Sequence, residues 1–267
     1  MTRTGPTPDR HELYEQAVQS PAMQARFIRS LHSAPAEQPV TLGEDFSAAG
    51  AIARAYVELH PGAGAVCVDL DGHALDRLRE LLDTAYASAM TTRCADVFDA
   101  DDPADIIAAL NFSLCEIHSR DRLVAYLRHA RTRLNPGGIL VADLYGGADA
   151  MAVGESEEEL PGGVRYVWEQ RHADPLTGRV VNAMHFHLPT GETLRDAFLY
   201  DWRLWTVPEL RDAMTEAGFT STEVHDRLGG AIDETGAVHP LPVTDPDELD
   251  ETYVVYVVAR TSGAANG

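Results

Sequence analysis

The chain has 267 residues, 45% hydrophobic and 24% charged, the balance of a globular domain and not of a disordered, collagenous or disulfide-stapled chain. Its 42 acidic and 21 basic residues give a formal net charge of −21, which repels phosphate backbones and anionic bilayers and speaks against nucleic-acid and membrane partners. Every basic residue is Arg, and a chain without Lys has neither a Walker-type phosphate loop nor Schiff-base chemistry.

Residues 1–10 read as a frayed tail. Residues 11–31 place Leu13, Val18, Phe27, Ile28 and Leu31 at helical spacing with a break at Pro21, so one helix or two short ones are expected. A Pro/Ala linker over 33–39 leads to a strand at 40–46. A helix at 51–59, a buried strand at 65–70 and a helix at 74–82 come next. A weak strand at 90–95 precedes a stronger one at 106–110. Residues 122–134 make the clearest helix: Leu123, Tyr126, Leu127, Ala130 and Leu134 keep the 3.6-residue period, and Asn135-Pro136-Gly137-Gly138 stops it. A strand at 139–144 completes the run. Strands and helices alternating through short links predict an α/β, doubly wound, mostly parallel sheet.

Beyond Gly146-Gly147 the pattern changes. The acidic run 155–160 reads as solvated loop. Strands at 164–171, 179–188 and 193–205, joined by Asp174-Pro175-Leu176-Thr177-Gly178 and Pro189-Thr190-Gly191-Glu192, form an inserted antiparallel β-meander. Thr206-Val207-Pro208-Glu209 has capping-box spacing for a helix closed by Gly218. A strand at 219–224, an acidic excursion at 226–250, a closing strand at 252–260 and a tail at 261–267 follow.

Ligands of such sheets bind beyond the carboxyl ends of the strands, at the switch point. There stand Glu44-Asp45-Phe46-Ser47-Ala48-Ala49-Gly50 after the first strand and Asp69 at the tip of the second. Asp96-Val97 follows the third strand and Asn111-Phe112-Ser113 the fourth. The order of these pieces, with Leu134 to Gly138 before the fifth strand and Glu216-Ala217-Gly218-Phe219 before the sixth, resembles class I S-adenosylmethionine-dependent methyltransferases over most of 40–260. The resemblance implies a seven-stranded sheet whose last strand is antiparallel, S-adenosylmethionine as cofactor, and methyl transfer to a small-molecule acceptor. It divides the chain into a helical lid at 1–39, a cofactor-binding α/β domain at 40–147 and 206–260, and a meander at 148–205 over the acceptor.

By the same resemblance Asp69 takes the ribose hydroxyls, Leu70 and Val97 sandwich the adenine, and Asp96 accepts from its amine. Glu44, with the helix beginning near Gly50, meets the amino-acid end. Phe46 belongs to the turn, Asn111, Phe112 and Ser113 form the floor, and Tyr14 and Gln19 close over the cofactor. The first turn departs from the family by keeping only Gly50. It looks like an altered copy of an Arg-Glu-Asp-Phe-Cys-Gly-Thr-type turn, with Ala48 at a glycine position, which Ala tolerates if φ stays negative.

For the acceptor, His185 and His187 share one strand face and serve either as a base or as solvated surface; no third ligand is placed beside them, so no metal is expected. Tyr200 and Trp202 form either a wall for an amine or flat ring, or glue for the next helix. Two rivals stay open: a catalytically silent binding protein, on the strength of the altered turn, and an NAD-dependent oxidoreductase, which lacks its GxGxxG. Three scattered cysteines without a CxxC pair, no long apolar run and a polar N-terminus point to a cytoplasmic protein. Oligomeric state is not encoded in any of these features.

Overall fold

The computed structural model describes residues 9–35, 37–226 and 238–262. The expectations for 1–8, for 227–237 within the acidic excursion and for 263–267 lie outside the described residues. Two helices open the chain, α1 (Arg10–Val18) and α2 (Pro21–Leu31). Asp9 caps the first through His11 N–H at 2.9 Å, and Pro21 starts the second, where its missing N–H costs nothing.

The central sheet contains β1 (Leu42–Asp45), β2 (Ala65–Asp69), β3 (Met90–Cys94), β4 (Ala104–Ala109) and β5 (Leu134–Gly147). The chain then makes a separate sheet of β6 (Gly154–Leu160), β7 (Val164–Asp174), β8 (Arg179–His187) and β9 (Thr193–Arg203), and returns to the first with β10 (Ser221–Asp226) and β11 (Thr252–Arg260). The order across the seven-stranded sheet is β10-β11-β5-β4-β1-β2-β3; β1 to β5 run parallel, and β11 is antiparallel to both β5 and β10. Strand order reverses between β1 and β4, which is the switch point. Helices α3 (Ala51–Leu59) and α4 (Gly72–Leu81) join α2 on one face, burying Phe27, Ile52, Tyr56 and Leu78. Helices α5 (Arg120–Arg133) and α6 (Val207–Ala217) bury Leu123, Leu127, Leu210 and Met214 on the other. The α6 capping box forms between Thr206 and Glu209, and Gly218 ends the helix at φ 97°.

Two expectations are corrected. The acidic run is not a loop but the edge strand β6, paired antiparallel with β7 from Gly154 opposite Gln170 to Leu160 opposite Val164. Backbone pairing needs no apolar side chains at an edge, and an acidic edge discourages a further strand from joining. The meander therefore has four strands in the order β6-β7-β8-β9. The stop Asn135 to Gly138 also lies inside β5, and the pairing with β4 slips between Ala104 and Ile106. Among the described residues no helix is long and apolar enough to cross a membrane.

Candidate active site at the switch point

The turn after β1 is left-handed at Phe46 (φ 57°), Ala48 (φ 45°) and Gly50 (φ 59°). The negative φ expected at Ala48 is thus wrong. An L-residue in this region costs about 1–2 kcal/mol, so the turn must be held from outside, and three carboxylates hold it. Asp45 is fully buried and accepts from Arg133 Nη1 at 3.0 and 2.8 Å and from the Tyr126 hydroxyl at 2.9 Å. Asp69 accepts the Ala48 N–H through Oδ2 at 2.7 Å and the Asp71 N–H through Oδ1 at 2.8 Å. Glu44 accepts the Ala53 N–H at 2.8 Å, and its burial pushes the carboxyl up to about 8. Gly50 has a packing reason: a Cβ there would stand 2.2 Å from Leu78 Cδ1 of α4.

Around this turn lie most of the expected cofactor residues. Each oxygen of Asp69 carries one backbone donor and keeps capacity for another. Beside it Leu70 is 72% exposed, a large apolar side chain left bare at a strand tip, whereas Val97 is buried at 4%. Asp96 closes its own turn by accepting the Phe98 N–H at 3.0 Å. From above, α1 brings Tyr14 and Gln19 against Ser47, Ala48, Ala49 and Ala51, with a space of only about 10 Å³ between them. Glu15 ties α1 down through a 2.8 Å bridge to Arg54 of α3.

Across the switch point a second left-handed turn follows β4, at Asn111 (φ 58°) and Phe112 (φ 62°). Asp143, buried in β5, accepts both amides, at 2.9 and 2.7 Å. The sequence reading missed this residue, although a lone acid within the apolar run Ile139 to Leu144 is a visible signal. Ser113 turns away, its hydroxyl donating to the Leu110 carbonyl.

This second turn faces a cavity of about 390 Å³, bounded by α1 and by the inward face of the meander. Even-numbered side chains supply that face: Ser156 and Glu158 from β6, Tyr166 and Trp168 from β7, Met184 from β8, Tyr200 and Trp202 from β9. Tyr200 and Trp202 have ring centroids 4.4 Å apart, and Trp168 lies 6.0 and 5.8 Å from them. Phe112 meets Trp202 at 74° and Tyr145 at 67°, so a second wall stands across the first. Tyr14 lines both this cavity and the narrow space at the first turn. Burial pushes the Tyr14, Tyr145 and Tyr200 hydroxyls well above their ordinary range, so all three stay protonated.

The histidines lie elsewhere. His185 and His187 share the opposite face of β8 from Met184, outside the cavity lining. His185 accepts the Asp196 N–H on Nδ1 at 2.9 Å, which leaves Nε2 to donate to Glu169 at 2.9 Å. Asp196 is left-handed (φ 52°) in the bulge where β8 and β9 slip register between Met184 and Phe186. Glu169, His185 and Asp196 bring ligand atoms within 4.8 Å of one another, and Arg171, bonded to both acids, supplies the positive charge between them. His187 pairs with Thr193 at 3.1 Å. Neither reaches an acceptor in the cavity, because strand parity turns both away.

The sheet order, the antiparallel last strand and the two turns at the switch point define the fold of class I S-adenosylmethionine-dependent methyltransferases. Solved structures agree on that fold. The chain is similar to the methyltransferase CcbJ of Streptomyces caelestis (18% identity, 97% of this chain and 94% of that one, TM-score 0.68). It is similar to DesVI of Streptomyces venezuelae (15% identity, 96% and 100%, TM-score 0.70). It also resembles CalS10, an amino pentose methyltransferase of Micromonospora echinaspora solved with S-adenosylmethionine bound (16% identity, 97% and 100%, TM-score 0.62). No family model and no curated protein sequence matches the chain.

Proposed function

We propose that the protein transfers a methyl group from S-adenosylmethionine to a small-molecule acceptor, with the cofactor along the carboxyl edge of β1 to β4 and the acceptor in the cavity beneath the meander. The observation that carries this reading is the adjacency of the two: Tyr14 borders both the Asp69-anchored turn and the aromatic cavity. The cofactor, when bound, supplies a methyl group on a sulfonium, already a good leaving group. The chain's task is then alignment and exclusion of water.

In this reading the remaining lone pairs of Asp69 accept the ribose hydroxyls and Leu70 covers one face of the adenine, with Asp96 and Val97 at its edge. Tyr14, Gln19, Glu44 and the start of α3 bound the amino-acid end, beside Phe46 and Gly50. Asn111 and Phe112 stand between cofactor and acceptor. Tyr200 and Trp202 contact the acceptor; Ser113, His185 and His187 have no part in it. The helices at the N-terminus act as a lid that must lift from the first turn, because 10 Å³ does not admit a methionine chain. That closed turn is also the one observation favouring a silent binding protein.

Calorimetric titration with S-adenosylmethionine and S-adenosylhomocysteine, with NAD as control, decides between them. Saturable binding of the first two is expected, with Asp69→Ala weakening it by about 1.5–3 kcal/mol, the range for hydrogen bonds to a charged group. Binding of neither, or equal affinity in the variant, overturns the cofactor assignment. Binding without turnover of any acceptor favours the silent reading.

A further inference from the structure

The charge and ring content of the cavity go further than a generic acceptor site. Its lining holds two carboxylates, Asp143 and Glu158, and among the described residues no Arg or His, in a chain with 21 Arg. Trp168, Tyr200 and Trp202 form one wall with planes inclined by 31–37° to one another, and Phe112 stands at 74° to Trp202. Rings meeting at a corner present their negative faces to one volume, the arrangement that attracts a cation. Trp202 is further polarised from behind: its Nε1–H donates to Glu116 at 2.7 Å, so a carboxylate pushes electron density toward the ring. Glu158 is exposed on the inward side of the edge strand, where it faces whatever enters. Every anionic group would meet these carboxylates with no cation to offset them.

We infer that this cavity selects its acceptor as a positively charged amine and refuses anionic acceptors. The inference rests on the methyltransferase reading for its chemistry, though not for the binding itself. An amine enters as its ammonium form, held over the Trp and Tyr faces. It releases one N–H proton to water at the Glu158 side. The freed lone pair forms the N–C bond as the C–S bond of the sulfonium donor breaks, and that electron pair returns to sulfur. The products are a methylated ammonium and a neutral thioether. No side-chain base is needed at the reacting atom, in keeping with tyrosines held protonated and histidines facing away. A hydroxyl acceptor would need such a base.

Three probes of one shape test the charge preference: choline, its neutral isostere 3,3-dimethylbutan-1-ol, and the anion 3,3-dimethylbutanoate. Of the three Trp residues, Trp168 and Trp202 line the cavity, so tryptophan fluorescence reads occupancy directly. Choline is expected to bind about tenfold more tightly than the alcohol, and the anion most weakly. Trp202→Leu should abolish the preference; because that change also removes packing, the exposed Glu158→Gln, which leaves the core intact, should reduce choline affinity by several fold while leaving the alcohol unchanged. Equal binding of the three probes, failure of all three to bind, or tighter binding of the anion overturns the inference. S-Adenosylhomocysteine titrated in the same samples separates the two readings. If it binds while choline shows no preference, the cation cage fails and the methyltransferase reading stands. If choline is preferred while S-adenosylhomocysteine does not bind, the cage stands and the methyltransferase reading fails.

Discussion

The two turns flanking the switch point use one device with opposite results. Phe46 to Gly50 and Asn111-Phe112 are both left-handed, and in both a carboxylate on the neighbouring strand, Asp69 or Asp143, accepts the strained amides. At the first, two further buried acids and α1 close in until about 10 Å³ remains; at the second, one acid suffices and about 390 Å³ opens. Conformation that glycine would supply freely is here imposed by charge-assisted hydrogen bonds. A turn built that way is specified by its neighbours more than by its own residues, so its stability depends on distant acids.

The sharpest way to break the comparison is Asp45→Ala. Arg133 would be left buried without its partner, and a loss of about 3–5 kcal/mol is expected in urea unfolding; a loss under about 1 kcal/mol, the scale of exposed pairs, would show that the ion pair does not hold the first turn. Asp143→Ala should cost about 2–3 kcal/mol by stranding two amides. It should also shift tryptophan emission, since Phe112 packs on Trp202; unchanged emission would mean that the second turn keeps its shape without the acid.

Glu44 sharpens the picture through pH. Its carboxyl is raised to about 8 from an ordinary 4.5, so the folded state holds a proton that the unfolded chain has released between those values. Its favourable contribution is full below about 4.5 and is lost as pH rises toward 8. Stability measured across that window should fall less steeply in Glu44→Gln than in the parent. Parallel profiles would mean that Glu44 titrates normally. The smallest effect is expected from Ala48→Gly. Relief of about 1 kcal/mol of left-handed strain is partly offset by a more flexible unfolded chain, leaving a gain of about 0.5 kcal/mol in the urea midpoint analysis. A clear loss would mean that the Ala48 methyl group packs usefully.

What was legible in the sequence was local or periodic. The strand–helix alternation, the Thr206 capping box and the shared face of His185 and His187 each follow from residues within a few positions of one another. What was not legible depended on partners far along the chain. The left-handed Ala48 is held by Asp69, 21 residues on, and Asn111 by Asp143, 32 residues on. Acidity at 155–160 was read as solvation because an edge strand's pairing lies in its backbone. Parity placed the histidines together, but only the packing of Leu13 and Tyr14 against Met184, Phe186 and Phe198 decided which face met the cavity.

That parity has a consequence for how the protein could diversify. On the meander, even-numbered positions line the cavity, and odd-numbered positions carry the Glu157–Arg165, Glu169–Arg171 and Arg179–Asp201 pairs. Recognition and surface solubility are thus written on alternate letters of the same strands. Variation confined to the even positions would explore new acceptors without disturbing the outer face or the cofactor turn. A combinatorial library restricted to Tyr166, Trp168, Tyr200 and Trp202 would sample specificity almost independently of how the sheet meets water.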